Sequence, residues 1–185
     1  MANDKPTTGE KEAPVTPSQA TQSNQDDAIT SRMSRLDKAH NSIKNYTLGA
    51  IAVGLVPAPM VDMVALSAIQ LKMVHSTAAI YEVPFSKNMA KSIIGSILGS
   101  SIAVTLAMPV SSFIKFIPIL GQSSGSVSTA LIGSASTYAI GKIFVEHFES
   151  GGTFLDFDEE KAKAHFKSLY EEGKAFVSSQ KSTTA

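Results

Sequence analysis

The sequence predicts an all-α protein, a helical bundle built around a hydrophobic helical hairpin that either crosses a bilayer or is buried in a helical core. Three observations predict it. Between Lys91 and Lys142 the one charged residue is Lys115, which divides two long uncharged runs, 92–114 and 116–141. Ahead of them, Ile29, Met33, Leu36, His40, Ile43, Thr47 and Ala50 recur at alternating spacings of four and three, the pattern of one apolar helix stripe. Behind them, Ala162, Phe166, Leu169, Tyr170, Gly173, Phe176 and Val177 share one helix face, with Lys161, Lys163, Lys167, Glu171, Glu172 and Lys174 elsewhere.

A chain of 185 residues has room for one domain and a tail. Residues 1–25, rich in Thr, Ser, Gln, Asn and Pro, read as a disordered N-terminal tail, because so little apolar surface cannot offset the entropy of ordering. They also lack the apolar core of a signal peptide. A single helical domain is expected over 26–177, with its hairpin at 86–148, followed by a polar tail at 178–185. Sixteen basic residues balance sixteen acidic ones, which gives no reason to expect nucleic acid as a partner. No cysteine is present, so disulfides, thiolate metal sites and thiol nucleophiles are excluded.

The first helix is expected to begin at Asp26 and Asp27, as a cap or as first-turn anions. Arg32, Arg35, Lys38 and Lys44 lie mostly off its apolar stripe and are opposed by Asp37, so the helix is amphipathic and basic, a form that suits an anionic membrane surface. It should end near Gly54 or Leu55, before Val56-Pro57-Ala58-Pro59, since each proline removes a donor and biases its predecessor away from helix. Pro59 is placed as the first residue of a second helix running to about Tyr81. Asp62 falls in its first turn, where a carboxylate meets the positive end of the dipole. Apolar residues lie on nearly all sides of this helix, so Gln70 should be buried and in need of a polar partner. Ser86, after Pro84, can cap the third helix. For the last helix, Asp156 and Glu159 have capping-box spacing, and Ser150-Gly151-Gly152 closes the helix before it.

Within the hairpin, Gly95, Gly99, Ala103, Ala107 and Ser111 form a row of small residues at intervals of four, beside a row of large ones from Ile94 to Ile114. The second run has its own small row, Gly125, Thr129, Gly133, Thr137 and Gly141. Such rows are ridges along which helices approach closely, and Gly95 with Gly99 makes a G-x-x-x-G. The two rows are expected to face each other. Both runs reach the roughly 20 residues that a membrane span needs. The ten large aliphatic or Phe residues of the first run contribute about −3 to −6 kcal/mol to insertion. Its seven Ser or Thr, two Gly and Pro109 oppose them, and the second run is poorer still. Insertion of the first run is near balance, and insertion of the second rests on the pair acting together. Pro109 should kink or end the first hairpin helix, leaving an apolar tip at 110–120 suited to lipid or to a partner's groove.

Catalytic and ligand motifs fail on inspection. Gly141-Lys142 is followed by Ile143 and lacks the upstream glycine of a phosphate loop. The four histidines are scattered, with no H-x-x-x-H clamp for zinc. The acidic run 156–160 lacks the spacing of a calcium loop. Gly121-Gln122-Ser123-Ser124-Gly125 matches the hydrolase elbow G-x-S-x-G, but that motif needs a strand-to-helix turn, and the surroundings are helical. Neither an enzymatic activity nor a cofactor is expected.

Ala50-Ile51-Ala52-Val53-Gly54-Leu55-Val56-Pro57-Ala58-Pro59 with Val61-Asp62, then Ala68-Ile69-Gln70-Leu71-Lys72-Met73-Val74, and Gly152-Thr153-Phe154 before the last helix, resemble the bacterial GTPase-associated domain-of-unknown-function family, the YcjF-like group. The resemblance covers about residues 45–175. It implies a helical protein, commonly of membranes, that works beside a GTPase, and it supplies no catalytic residues. No GTPase signature lies in these residues, so a GTPase would act in trans. The expected function is therefore a non-enzymatic, membrane-associated helical adaptor. Its location would be the bacterial cytoplasmic membrane, with both termini inside, because Lys87, Lys91 and Lys142 flank the hairpin ends. Membrane lipid is the expected partner, and homo-oligomerisation is compatible with the small rows. Pro57, Pro59, Asp62, Gln70, Gly95 and Gly99 are the candidate structural and partner-contacting residues. Two other readings remain open: a soluble all-helical interaction module, located in the cytoplasm, and an oligomeric pore or membrane-remodelling protein.

Overall fold

The computed structural model describes residues 17–55, 59–106 and 122–183, with side chains over 24–55, 64–100 and 130–180. Five helices account for nearly all of them: α1 (Pro17–Gly54), α2 (Pro59–Ile80), α3 (Lys87–Leu106), α4 (Gln122–Glu149) and α5 (Glu159–Thr183). No strand occurs among the described residues, so the all-α expectation holds. The chain divides into two compact units, Met1–Ser34 and Arg35–Ala185.

In the first unit, α1 begins at Pro17, ahead of the Asp26 start that the charge pattern suggests. Proline suits the first helical position because the amide it lacks would be unpaired there anyway. Every described side chain from Asn24 to Ser34 is exposed, including Ile29 and Met33. The apolar stripe is therefore not buried at its N-terminal end.

In the second unit the same stripe is buried: Ile43, Thr47 and Ala50 are inaccessible, and Leu36 and His40 are half-buried. Burial, then Lys142 and Lys44, push the His40 imidazole below its ordinary range.

Helix α4 is the centre of this unit. Ala130, Gly133, Ser134, Ala135, Ser136, Thr137, Ala139, Ile140 and Gly141 are all buried, which covers most of the helix surface, with Ile132 left exposed. Small residues make that wrapping close. A Cβ on Gly54 of α1 would lie 2.5 Å from the Ala130 Cα. One on Gly141 would lie 2.8 Å from Ile43 of α1 and 3.0 Å from Met73 of α2. One on Gly173 of α5 would lie 2.8 Å from the Ala135 carbonyl oxygen. Gly133 faces Leu66 of α2 at 3.0 Å. Gly133 and Ala135 are two residues apart, about 200° around the helix. So α1 and α2 cover one side of α4, and α5 covers the opposite side.

These contacts bear on the expectation that the two small rows of the hairpin face each other. Among the described residues α3 packs against α5 and α2 rather than back to back with α4. A Cβ on Gly95 or Gly99 would meet nothing within 4 Å, and both residues are exposed, so neither glycine makes a helix–helix contact. In the second run, Gly133 and Gly141 do receive neighbours, but these come from α1 and α2. The side chains of Gly125 and Thr129, and the tip at 110–120 with Pro109, lie outside the described residues. No described helix is long and apolar enough to cross a membrane. The many hydroxyls of α4 contribute to this, since a span needs about 20 predominantly apolar residues.

The far end of the core is aromatic. Phe144 and Phe148 of α4 meet Phe154 at centroid distances of 5.8 and 5.3 Å, and Phe154 meets Phe85 at 5.8 Å. Ile93, Ile94 and Ile97 of α3 and Phe166 and Leu169 of α5 close the same cluster. Complete burial of a side chain such as Phe144 is worth about 1.5–3 kcal/mol.

Two turns have the Schellman form. After α4, the Gly152 amide donates to the His147 carbonyl and the Gly151 amide to the Phe148 carbonyl, with Gly151 at φ 86°. After α2, Val83 donates to Ala78 and Glu82 to Ala79, and the left-handed position is taken by Glu82 at φ 58°. Helix α3 starts after Ser86, whose carbonyl accepts its first bond, from Ala90. At α5 the cap is Asp158, which takes the Lys161 amide at 3.0 Å, and not Asp156 as the capping-box spacing suggests. The helix continues to Thr183, past the expected tail boundary at 178.

Glycine substitutions should separate the contacts in use from those that are not. Gly54→Ala and Gly173→Ala push a methyl onto backbone and should each destabilise by about 1–3 kcal/mol. Gly95→Ala meets open space and should be neutral or stabilise by up to about 1 kcal/mol. Urea denaturation of the three variants against the parent measures both.

Candidate functional site

Two places in the second unit concentrate polar groups. The first is a buried layer across α1, α2 and α4, where Thr47, Gln70 and Thr137 are each 1 % exposed or less. Gln70 donates from Nε2 to the Thr137 Oγ1 at 3.4 Å, the polar partner that its predicted burial requires. Thr137 donates onward to the Gly133 carbonyl at 2.9 Å, and Thr77 to the Met73 carbonyl at 3.0 Å. Ser134 donates to the Ala130 carbonyl in the same way. Hydroxyls bonded to the preceding turn of their own helix ask nothing of a neighbour. That is how a helix with so many Ser and Thr tolerates burial over most of its surface. The exception is Thr47, whose Oγ1 has no hydrogen-bond partner. This layer is a packing element: it holds no ionisable group and no cavity.

The second place is an open cleft of about 190 Å³ where the C-terminal end of α4 meets the start of α5. Glu146, His147, Asp158, Lys161 and His165 line it above an apolar floor of Ile143, Phe157 and Ala162. The Schellman turn puts His147 three residues inside the helix end. There its Nε2 lies 2.7 Å from the Thr153 carbonyl oxygen, which fixes Nε2 as the protonated, donating nitrogen. The ring leaves no room beside Gly152, where a Cβ would come within 2.3 Å of it. Asp156 lies 3.8 Å from the same nitrogen. Its carboxylate accepts from the Thr153 hydroxyl and the Thr153 amide, both at 2.6 Å, and these bonds, with a smaller contribution from His147, hold the carboxyl below its ordinary range. His165 of α5 faces Glu146 of α4 at 3.2 Å. Further along the same two helices, Tyr138 donates to Glu172 at 2.5 Å; burial first, then that bond, raises its phenol above the usual range.

The cleft fastens the α4–α5 turn more readily than it performs chemistry. Its hydroxyl, on Ser150, donates to the His147 carbonyl at 2.7 Å and not to an imidazole, so a nucleophile–base pair is not formed. Among the described residues no three His, Cys, Asp or Glu side chains could hold a metal ion. Ser123 falls in the first turn of α4, a helix and not a strand-to-helix elbow.

The remaining candidates stand apart from this cleft. Pro59 opens α2, as its fixed φ suggests, and Asp62 falls in the first turn. The Asp62 side chain and all of Pro57 lie outside the described residues. Gln70 belongs to the buried layer, and Gly95 and Gly99 face open space. Among the described side chains, Gln70 is not brought to Gly95 or Gly99. His147, His165, Glu146 and Asp156 were not selected from sequence. The one signal for them was the Gly-Gly pair that ends α4 next to an acidic run.

A family model described as a domain of unknown function, DUF697, matches residues 20–175. At that level the resemblance read from the sequence is borne out. A protein of Magnetospirillum gryphiswaldense, magnetosome membrane protein 22, is 38% identical over 144 residues, covering 77% of this chain and 74% of its own length. No solved structure matches.

Asp156→Asn removes the acceptor for both Thr153 donors. Because the folded carboxyl titrates below the ordinary aspartate value of 3.8, its stabilisation is present above that value and is lost as pH falls through the lower folded one. The urea midpoint of the variant should lie below that of the parent at about pH 7, and the gap should close on titration to about pH 2.

Proposed function

Because the chain belongs to the DUF697 family, we propose that it is a non-enzymatic, membrane-associated helical adaptor. The observation that supports this most is the membrane address of its magnetosome relative, which aligns with most of the bundle. The charge pattern fits that address: residues 92–141 hold one charge, Lys115, and residues 45–71 hold one, Asp62. Attachment to a single leaflet asks for no crossing helix, and an uncharged surface flanked by lysines is suited to it. The membrane is the bacterial cytoplasmic membrane or one derived from it, with the termini on the cytoplasmic side.

Helix α5 is the partner-facing element. It exposes Glu160, Lys161, Lys167, Glu171 and Glu172, a surface of mixed sign. Mixed charge favours steered, selective protein association more than tight adhesion. A GTPase acting in trans is the partner implied by the resemblance of residues 45–175 to GTPase-associated proteins.

Fractionation of the native host without detergent tests the attachment. The protein should sediment with membranes, and recovery in the supernatant would contradict the reading. Affinity capture through the same chain should retain a nucleotide-binding protein whose retention falls on reversing Glu171 and Glu172 to lysine. Capture of membrane alone would remove the GTPase from the proposal.

A further inference from the structure

The contacts around α4 fix the relative heights of α1 and α2. Gly141 touches both Ile43 and Met73, so these two residues lie at one level of the bundle. The bond between Ser42 and Ser76, at 3.2 Å, sets the two helices side by side near that level. Each is followed or preceded at once by an exposed lysine: Lys44 comes after Ile43, and Lys72 comes before Met73. The two ammonium groups thus start from the same height on neighbouring helices.

On one side of that height the outward stripes are uncharged. On α1 the stripe continues through Leu48, Ala52 and Leu55, which follow Lys44 in successive steps of four, four and three residues, and all are exposed. On α2 it continues through Ala68 and Val64, four and eight residues from Lys72, with Val64 73% exposed. At 1.5 Å per residue the apolar stripes reach about 12–16 Å beyond the lysines. That matches one leaflet, half of a hydrocarbon core of about 30 Å. Among the described side chains of α1 and α2 in this unit, the cations are Arg35, Lys38, Lys44 and Lys72, and the anion is Asp37. All of them lie at or below the lysine level. On α5, Gly173 packs on the α4 face around Ala135, and of its charges Glu172 is felt by His40 of α1, which lies below the lysine level.

Resting on the membrane reading above, we infer that the outer face of α1 and α2 beyond Lys44 and Lys72 is a lipid-contacting surface, seated in one leaflet of an anionic bilayer with both lysines at the headgroup phosphates. Lysine suits that place because its alkyl stem stays in apolar surroundings while its ammonium reaches the interface. Cations near an anionic leaflet add attraction that salt screens. α5 then points to water, free for a protein partner.

The chain contains no tryptophan, so single probes report without background. Leu48→Trp, Val64→Trp and, on exposed α5, Lys167→Trp are compared on vesicles of phosphatidylglycerol and phosphatidylcholine carrying brominated chains. The parent protein should float with these vesicles and not with pure phosphatidylcholine. Emission of the probes at 48 and 64 should shift to the blue and be quenched by bromine, while the probe at 167 stays unchanged. Lys44→Glu with Lys72→Glu should weaken binding by at least about fivefold per position. If the protein floats but the probe at 167 is quenched as strongly as those at 48 and 64, or those two stay silent, this face is wrong and membrane association survives. If the parent does not float, both readings fall.

Discussion

Close approach of three helices to the small-residue surface of α4 is the constraint on which the rest of the bundle depends. Gly54, Gly141 and Gly173 each stand where a single methyl would strike a neighbouring backbone or a buried side chain. The contacts lie on two sides of one helix, so losing either would open a layer of the protein rather than a local gap. Dispersion is collectively large only when surfaces meet without voids, and α4 achieves this with glycine, alanine and hydroxyls that bond to their own turn. The aromatic cluster around Phe144 and the clasp at His147 then secure the end of the helix where side chains are large.

This arrangement gives the uncharged second run a use other than spanning a bilayer. A helix that is apolar or small all round is buried either by lipid or by protein. Here protein covers most of α4 from Gly133 to Val145, and α1 and α2 are left with exposed Leu48, Leu55 and Val64. Charge separates accordingly. In the second unit the exposed lysines of α1 and α2 lie at one level and below it, and exposed charges of both signs line α5. A bundle with such sides can present different surfaces to lipid and to protein at the same time.

Much of the fold was legible. The stripe from Leu36 to Ala50, the stop near Gly54, Pro59 as a helix start, buried Gln70 and the Gly-Gly end of α4 all follow from periodicity and backbone chemistry. What failed did so for identifiable reasons. Gly95 and Gly99, like Gly133 and Gly141, belong to rows of small residues at intervals of four, and that periodicity alone does not say which row has a neighbour. Ile29 and Met33 continue a stripe whose partner surface ends. Asp156 and Asp158 both stand ahead of Glu159, and the local turn at Thr153 takes the first of them. The cleft was missed because its side chains come from two helices and a turn that become neighbours only when α4 and α5 pack.

Native-state hydrogen exchange tests the central position of α4 most directly. Amides from Gly133 to Val145 should exchange only through global unfolding, more slowly than those of α3 and the outer turns of α5. Exchange across this segment at rates equal to or faster than those of α5, at a denaturant concentration where the bundle stays folded, would contradict a core built on that helix.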